Sequence, residues 1–590
     1  MNGIPKKPLL RLWHHISPRR RSQFVVVLAL MVAASFAEII SIGAVLPFLA
    51  VLTAPEHLYQ QPAAEPIIRY LGVTSPEQLL LPFTIAFGVA AMIAGAMRIL
   101  LSWASIRLSY GTGADLSLSI YKRTLYQPYL VHLSRNSSEV ITGILTKVNG
   151  VINNNINPLL TLISSSLMFV AILIALISIE PLITIYAFIG FGLVYLIISA
   201  LTKKKKILNG QLIANGSTQV VKSLQEGLGG IRDVLIDGSQ ATYCDSYHIL
   251  DGRLRRAVGD NQFVAQSPRF VVEALGMTLI AGLAYALAQQ TDGVAKAIPV
   301  LGALAIGAQR LLPLMQQSYS AWSLMQGGHA SFLDTLALLE QPLPDYADQP
   351  RQAPITFCKD IRLNRVSFRY KPETTWILKE LNLVIPKGSR VGFIGATGSG
   401  KSTLLDIIMS LLFPSEGTLE IDSQPINEEN RHAWQAHIAH VPQTIFLTDN
   451  SIEQNIAFGV PVDRINHDRV RIAAKQAQIA ELIEGWQDGY STAVGERGIR
   501  LSGGQRQRIG IARALYKEAD VIVFDEATSA LDSDTEQSVM QAIEGLSENL
   551  TVLIIAHRLS TLKNCTQIIE LGEGGIRRIG TYQDIVTLVA

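Results

Sequence analysis

Two glycine-rich strings in this chain have the residue types and spacing to hold phosphate. One is Gly395-Ala396-Thr397-Gly398-Ser399-Gly400-Lys401-Ser402, and the other is Leu501-Ser502-Gly503-Gly504-Gln505. A glycine-rich turn that opens a helix offers free backbone N–H groups and the positive end of the helix dipole to an anion. The first string follows the apolar run Val391-Gly392-Phe393-Ile394 and precedes a helix-forming stretch, so it reads as strand, phosphate loop and helix. In that setting Gly395, Gly398, Ser399 and Gly400 cradle phosphate, with Thr403 beside them. Lys401 reaches the β/γ oxygens and Ser402 can ligate Mg²⁺. A nucleoside triphosphate needs one such helix start, and this chain carries two.

The partners of these strings lie around them. The apolar strand 521–524 ends in Asp525-Glu526, where Asp525 is placed to hold Mg²⁺ through water and Glu526 to polarise the attacking water as general base. Gln443, in Val441-Pro442-Gln443, offers an amide oxygen to Mg²⁺ or to that water. His557, after the strand 551–556, can hydrogen-bond the γ-phosphate, and Tyr370, in Phe368-Arg369-Tyr370, can stack on adenine. Each taken singly has an ordinary structural role; in this order they describe an ATP-hydrolysing α/β domain over residues 346–590.

The first half of the chain must position something else. At 590 residues more than one domain is expected, 48% of residues are hydrophobic, and mean hydropathy is +0.28. Six apolar runs, about 24–52, 81–106, 158–179, 181–201, 268–287 and 297–325, are each near or above the ~20 residues needed to cross a bilayer. The first is too long for a signal-peptide core. Basic residues flank the runs on one side: the N-terminal arm with Arg19-Arg20-Arg21, the segment 107–147, and Lys203-Lys204-Lys205-Lys206. By that asymmetry both termini are cytoplasmic. The long polar stretches 107–157 and 202–267 read as helices continuing into the cytosol, with turns near 129–136 and 223–231. Prolines 342, 344 and 354 mark the boundary after residue 345. The expected fold is therefore an all-α six-helix transmembrane domain, residues 1–345, followed by an α/β P-loop nucleotide-binding domain. A net charge of +2 gives no reason to expect a nucleic-acid partner, and Cys244, Cys358 and Cys565 have neither zinc nor disulfide spacing.

This set of motifs resembles the ATP-binding cassette (ABC) transporters. Their aromatic A-loop, Walker A, Q-loop, LSGGQ signature, Walker B and switch histidine match Tyr370, residues 395–402, Gln443, residues 501–505, Asp525 with Glu526, and His557. The D-loop matches Ser529-Ala530-Leu531-Asp532, and Val494-Gly495-Glu496-Arg497-Gly498 resembles the X-loop of exporters. The resemblance covers the whole chain and implies a half-transporter. In the family, Ser502, Gly503, Gly504 and Gln505 face the nucleotide of the opposite subunit, so it implies a dimer, most simply of two identical chains, with a heterodimer as the lesser reading.

Charges inside the apolar runs point to the cargo, because they are costly in lipid. They are Glu38, Arg98, Arg269, Glu273 and Arg310. Arginines facing a shared cavity can pair an anionic headgroup bidentately; the competing reading is Glu–Arg pairing within the helix bundle. The transmembrane half also resembles bacterial flippases of lipid-linked oligosaccharides, through Ala37-Glu38-Ile39-Ile40-Ser41-Ile42-Gly43, the external segment 65–72, Asn136-Ser137-Ser138-Glu139 and Arg310-Leu311-Leu312-Pro313. That resemblance implies a polyprenyl-pyrophosphate-linked glycan as cargo, moved across the cytoplasmic membrane. An exporter of another lipid, a peptide or a drug, an ATP-gated channel, and a soluble ABC ATPase are the alternatives; the apolar runs argue against the last.

Overall fold

The computed structural model describes residues 8–53, 55–59, 74–177, 181–288, 293–349, 352–526, 533–544, 549–556 and 559–586. Two compact units result. The first is residues 1–127 with 135–343, and the second is residues 344–590 with the short segment 128–134.

The first unit is helical. Its main helices are α1 (Pro8–His15), α2 (Pro18–Thr53), α3 (Leu80–Leu125), α4 (Asn157–Ile177), α5 (Pro181–Gly229), α6 (Gln240–Gln266), α7 (Pro268–Ala288), α8 (Gly293–Gly327) and α9 (His329–Leu339). Proline sits at the first position of α1, α2, α5 and α7, where its missing N–H costs nothing and its fixed φ favours the helix. Among the described residues, three helical runs are long and apolar enough to cross a membrane: Pro18–Val45, Pro76–Leu125 and Ser137–Ile174. Their packing suits lipid. Val25, Val26, Ile99 and Trp103 point outward and exposed, while Val27, Met31, Leu101 and Leu108 are buried against neighbouring helices. A second cluster, including Leu116, Ile120, Val151, Ile152 and Leu336, ties α3, the segment before α4 and α9 together.

The helical extensions expected from composition are present, with one difference. The expected turn at 223–231 starts later, because α5 runs on to Gly229; the chain then reverses through the short helix Ile231–Ile236. Residues 223–228 contain Leu, Gln and Glu, which favour helix, and only the Gly229-Gly230 pair breaks it. The other turn contains the helix Tyr129–Ser134.

The second unit has two sheets. An antiparallel sheet is ordered β2-β1-β4-β5, and a six-stranded one is ordered β10-β9-β3-β8-β7-β6. These strands are β1 (Asp360–Phe368), β2 (Leu378–Pro386), β3 (Arg390–Gly395), β4 (Glu416–Ile421), β5 (Gln424–Pro425), β6 (Ile438–Val441), β7 (Val521–Asp525), β8 (Thr551–Ile555), β9 (Gln567–Gly572) and β10 (Gly575–Gly580). Strands β9, β3, β8, β7 and β6 are parallel, and the central β7 and β8 read as nearly unbroken apolar runs because both faces are covered. One core joins Val391 and Phe393 of β3 to Leu404, Leu405, Ile407 and Ile408 of helix α10 (Lys401–Ile408) and to Leu363 and Leu381 of the antiparallel sheet. The other face packs Ile522, Phe524 and Ile554 against Ile509, Ile511 and Ala512 of helix α13 (Gly503–Tyr516). Between α10 and α13 in the chain come α11 (Ile452–Ile456) and α12 (His467–Gln476).

Candidate nucleotide site and membrane cavity

Strands β3, β8, β7 and β6 are neighbours and parallel, so their carboxyl ends share one edge, where open α/β sheets bind ligands. The phosphate loop follows β3, Asp525 and Glu526 lie at the end of β7, and Gln443 follows β6. His557, just past β8, and Asp532 lie outside the described residues.

The loop's backbone has positive φ at three glycines, Gly398 (φ 85°) among them, and a side chain would also collide at two of them. Gly395 has φ 146° and Gly400 has φ 91°. A Cβ at Gly395 would lie 2.4 Å from the Leu571 carbonyl oxygen, and one at Gly400 would lie 2.9 Å from Leu378 Cδ2. Gly398 lies between them on the open side, where a Cβ would meet nothing within 4 Å. Lys401 Nζ donates to the carbonyls of Gly395 (2.8 Å) and Ala396 (3.0 Å), so the ammonium arches over the loop. Ser399 Oγ is buried with no hydrogen-bond partner. A phosphate oxygen would satisfy it, so the residues fit a nucleotide triphosphate. The Tyr370 hydroxyl is 3.2 Å from Thr403 Oγ1, and its ring, edge-on to Phe368, is 38% exposed, leaving a face for a base. Ser402 is exposed on the first turn of α10. With Asp525 and the Gln443 amide it supplies the oxygen donors that Mg²⁺ prefers.

The carboxylates are arranged for proton chemistry. Glu526 has φ 51°, a left-handed conformation that costs a non-glycine residue about 1–2 kcal/mol. Such strain collects at functional positions. Gln443 Nε2 donates to Glu526 Oε2 at 2.6 Å. Burial, and then the Glu526 charge, push the Asp525 carboxyl up, while Lys401 pulls it back.

Two residues near this site have no signal in the sequence. Asp406, in α10, is pushed up to about 6 by burial and by the charge of Asp525. Tyr129 packs against the core of the nucleotide unit, its hydroxyl pushed up by burial and then by Asp406 and Tyr370. An aspartate in an amphipathic helix and a tyrosine some 240 positions upstream of Tyr370 reveal nothing by spacing.

The second phosphate-facing string is built as a helix start. Ser502 caps α13: its hydroxyl accepts from Gln505 N–H (3.2 Å) and the Gln505 side chain accepts from Ser502 N–H (2.8 Å). The first-turn N–H groups of Gly503 and Gly504 are left for an external acceptor. Among the described residues, no hydrogen bond or ion pair joins residues 501–505 to residues 395–403 of the same chain. Helix α13 is instead tied to the segment after Gln443. Arg513 donates to the carbonyls of Asn455 (2.9 Å) and Phe446 (3.0 Å), and the Asn455 side chain holds Thr448 and Ser451. Burial lowers the Arg513 guanidinium to about 10.

In the helical unit, the intramembrane charges are paired rather than gathered. One Arg98 nitrogen lies 2.7 and 2.6 Å from the two Glu38 oxygens, with the glutamate buried and the arginine 47% exposed. Arg269 pairs with Glu273 one turn away on α7, at 2.7 Å, and both are exposed. Arg310 lies on α8, its side chain outside the described residues. Glu38 and Arg98 line a cavity of about 590 Å³ among α2, α3, α4 and α8, and Arg269 does not line it. The remaining polar lining includes Ser102, Ser105, Asn157, Ser164, Gln309 and Gln317. Segment 65–72 lies outside the described residues.

Comparison with known proteins follows this geometry. The family described as ABC transporter matches residues 378–529. An ATP-dependent lipid A-core flippase of Cupriavidus metallidurans is 26% identical over 607 residues, covering 98% of this chain and 94% of that protein. The protein of that name from Alkalilimnicola ehrlichii is 31% identical over 401 residues, 67% of each chain. ABC transporter ATM1 of Toxoplasma gondii is 43% identical over 217 residues, covering 37% of this chain and 19% of that one. The fold matches the structure of a bacterial Atm1-family ABC exporter with ATP bound, at a TM-score of 0.75 and 24% identity, over 97% of this chain and 96% of that one. A helical membrane region precedes an α/β nucleotide-binding unit whose loops converge on one sheet edge, and the chain accordingly belongs to the ABC transporters, as an exporter-type half-transporter that couples ATP hydrolysis to transport.

Proposed function

We propose that this chain works as a homodimer, six spans per copy, with both termini cytoplasmic, and flips a lipid bearing a phosphorylated glycan headgroup. The cargo proposed from the sequence is a polyprenyl-pyrophosphate-linked oligosaccharide. The observation that carries the reading is the cavity of about 590 Å³, whose lining joins hydroxyls, amides and the half-exposed Arg98 to apolar side chains such as Leu101, Met168 and Leu314, as an amphipathic cargo requires. A polar headgroup needs hydrogen-bonding groups at that depth, whereas an apolar drug would need an apolar pocket. Relatives named lipid A-core flippases favour a lipid cargo. The Glu38 contact lowers the charge Arg98 presents, so it serves as a positioned hydrogen-bond donor to an anionic group rather than as a free cation.

In the nucleotide unit we assign phosphate binding to the loop amides, Ser399 and Lys401, and adenine stacking to Tyr370. Ser402, Gln443 and Asp525 would hold Mg²⁺, which neutralises phosphate charge when bound. Glu526 takes the proton from the attacking water, oriented by Gln443. His557 donates to the γ-phosphate. Ser502, Gly503, Gly504, Gln505 and Asp532 of a second copy close the site, since residues 501–505 make no contact of this kind with the phosphate loop of their own chain.

The test is ATPase stimulation of the reconstituted protein across purified lipids, peptides and lipid-linked glycans. Stimulation by the pyrophosphate-linked glycolipid, with none by peptides or apolar drugs, is the expected result. The reverse pattern would overturn the assignment of cargo.

A further inference from the structure

A second site, separate from the polar cavity, lies where α1 meets α2 and α4. The sequence of α1, Pro-Leu-Leu-Arg-Leu-Trp-His-His, puts Leu9, Leu10, Leu12 and Trp13 on one face and Arg11, His14 and His15 on the other. Arg11 fixes the helix by a bidentate pair with Glu340, 2.7 and 2.5 Å. Between α1 and the helices beside it is a groove of about 380 Å³ lined wholly by apolar side chains. Its floor is buried, with Leu12, Ile16 and Met31, and its walls are exposed, with Leu10 at 52%, Val25 at 64% and Leu28 at 46%.

The rim of this groove carries charge of one sign. Arg21 lies over the Trp13 ring at 5.7 Å and donates to the carbonyls of Ile16 and His14, which leaves its remaining nitrogen without a carboxylate. Arg19 is exposed and forms no ion pair among the described residues, but it lies on the Val26 face of α2, away from the groove, so Arg21 is the cation of this rim. The other two arginines here are committed, Arg11 to Glu340 and Arg20 to Asp115. A tryptophan and uncommitted arginines just before a membrane-spanning run mark the headgroup level of the bilayer. An apolar slot opening at that level, beside the Arg21 guanidinium, matches an anionic lipid with one chain in the slot and its phosphate on the rim.

We propose that the α1–α2–α4 groove is a binding site for an anionic phospholipid of the cytoplasmic leaflet, held as a resident lipid and not as cargo. The site anchors α1 at the membrane surface. It is independent of which substrate the polar cavity takes.

The test uses the full-length protein in detergent, incubated with phosphatidylglycerol or phosphatidylcholine of matched chains, washed, and assayed for retained lipid by native mass spectrometry. Wild type should retain phosphatidylglycerol in preference. Val25→Trp, which fills the slot, and Arg21→Gln, which removes rim charge, should each lower that retention, the latter about fivefold, while basal ATPase is unchanged. Leu10→Ser, a milder change in the wall, should lower retention in the same direction if Val25→Trp perturbs folding. Equal retention of the two lipids, unchanged retention in Val25→Trp and Leu10→Ser, or full displacement by glycerol phosphate alone would each overturn the proposal. Disulfide-linked dimers from Leu10→Cys would also overturn it, because a second copy would then cover the groove.

Discussion

The Gln443 side-chain amide donates a 2.6 Å hydrogen bond to the carboxylate of Glu526, a residue held at φ 51° at the end of β7. The hydrogen bond and the strained backbone together fix where the carboxylate points. Glu526→Gln should therefore keep ATP bound and lower turnover by about 10²–10⁴-fold, the usual range for a lost general base. Gln443→Ala should lower kcat less, because it frees the carboxylate without removing it. Steady-state hydrolysis near the wild-type rate in Glu526→Gln would reject the assignment of the base.

The absence of any hydrogen bond or ion pair between residues 501–505 and the phosphate loop of the same chain makes a prediction about assembly. Lys401→Ala and Ser502→Arg homodimers should both be inactive. Coexpressed, the two variants should recover part of the hydrolysis, since the mixed dimer has one site with an intact Lys401 and an intact Ser502. No recovery in isolated mixed dimers would mean that the two strings do not work across a dimer.

Arg98 and Glu38 predict an asymmetry. Arg98→Ala takes the guanidinium from the buried Glu38 carboxylate and should lower thermal stability, by less than the loss of a fully buried pair because Arg98 is half-exposed. The double variant Glu38→Gln/Arg98→Gln should restore thermal stability but not transport of the glycolipid, with basal ATPase largely kept. Arg310→Ala should also impair transport. Full transport by the double variant would show that the pair only fixes helix packing.

Asp406 predicts a pH dependence of stability. Burial and Asp525 raise its carboxyl to about 6 in the folded protein, above the ordinary 3.8. A raised carboxyl pKa means that the folded state holds the proton more tightly than the unfolded chain. Its stabilising contribution is thus full below pH 4 and lost as pH rises through 6. Asp406→Asn should raise the melting temperature of the nucleotide unit at pH 7.5 by a few degrees, with the gain vanishing near pH 4. An equal gain at both values would rule out this origin.

Arg513 joins α13 to the loop after Gln443 through Asn455 and Phe446. Arg513→Ala strips the part-buried Asn455 carbonyl and the exposed Phe446 carbonyl of their donor, so both stability and cargo-stimulated ATPase should fall, the part-buried bond costing about 1–3 kcal/mol. Arg513→Lys should recover little, because one ammonium cannot reproduce the guanidinium fork. Full stimulation in Arg513→Ala would show that this link carries no signal.

The sequence by itself determined the local chemistry. The phosphate loop, the signature cap and the strand-terminal acids are runs of adjacent residues, and backbone amides, helix starts and apolar strands follow from short-range rules. The same holds for the apolar helices and for the order of the two units. Only the tertiary structure decided that Arg98 is spent on Glu38, sixty positions away. It also brought Asp406 beside Asp525 and placed Tyr129 in the nucleotide unit. It carried α5 on to Gly229, and it closed an apolar groove beside Arg21. Such pairings depend on which helix faces meet, and no periodicity along one segment encodes its neighbour.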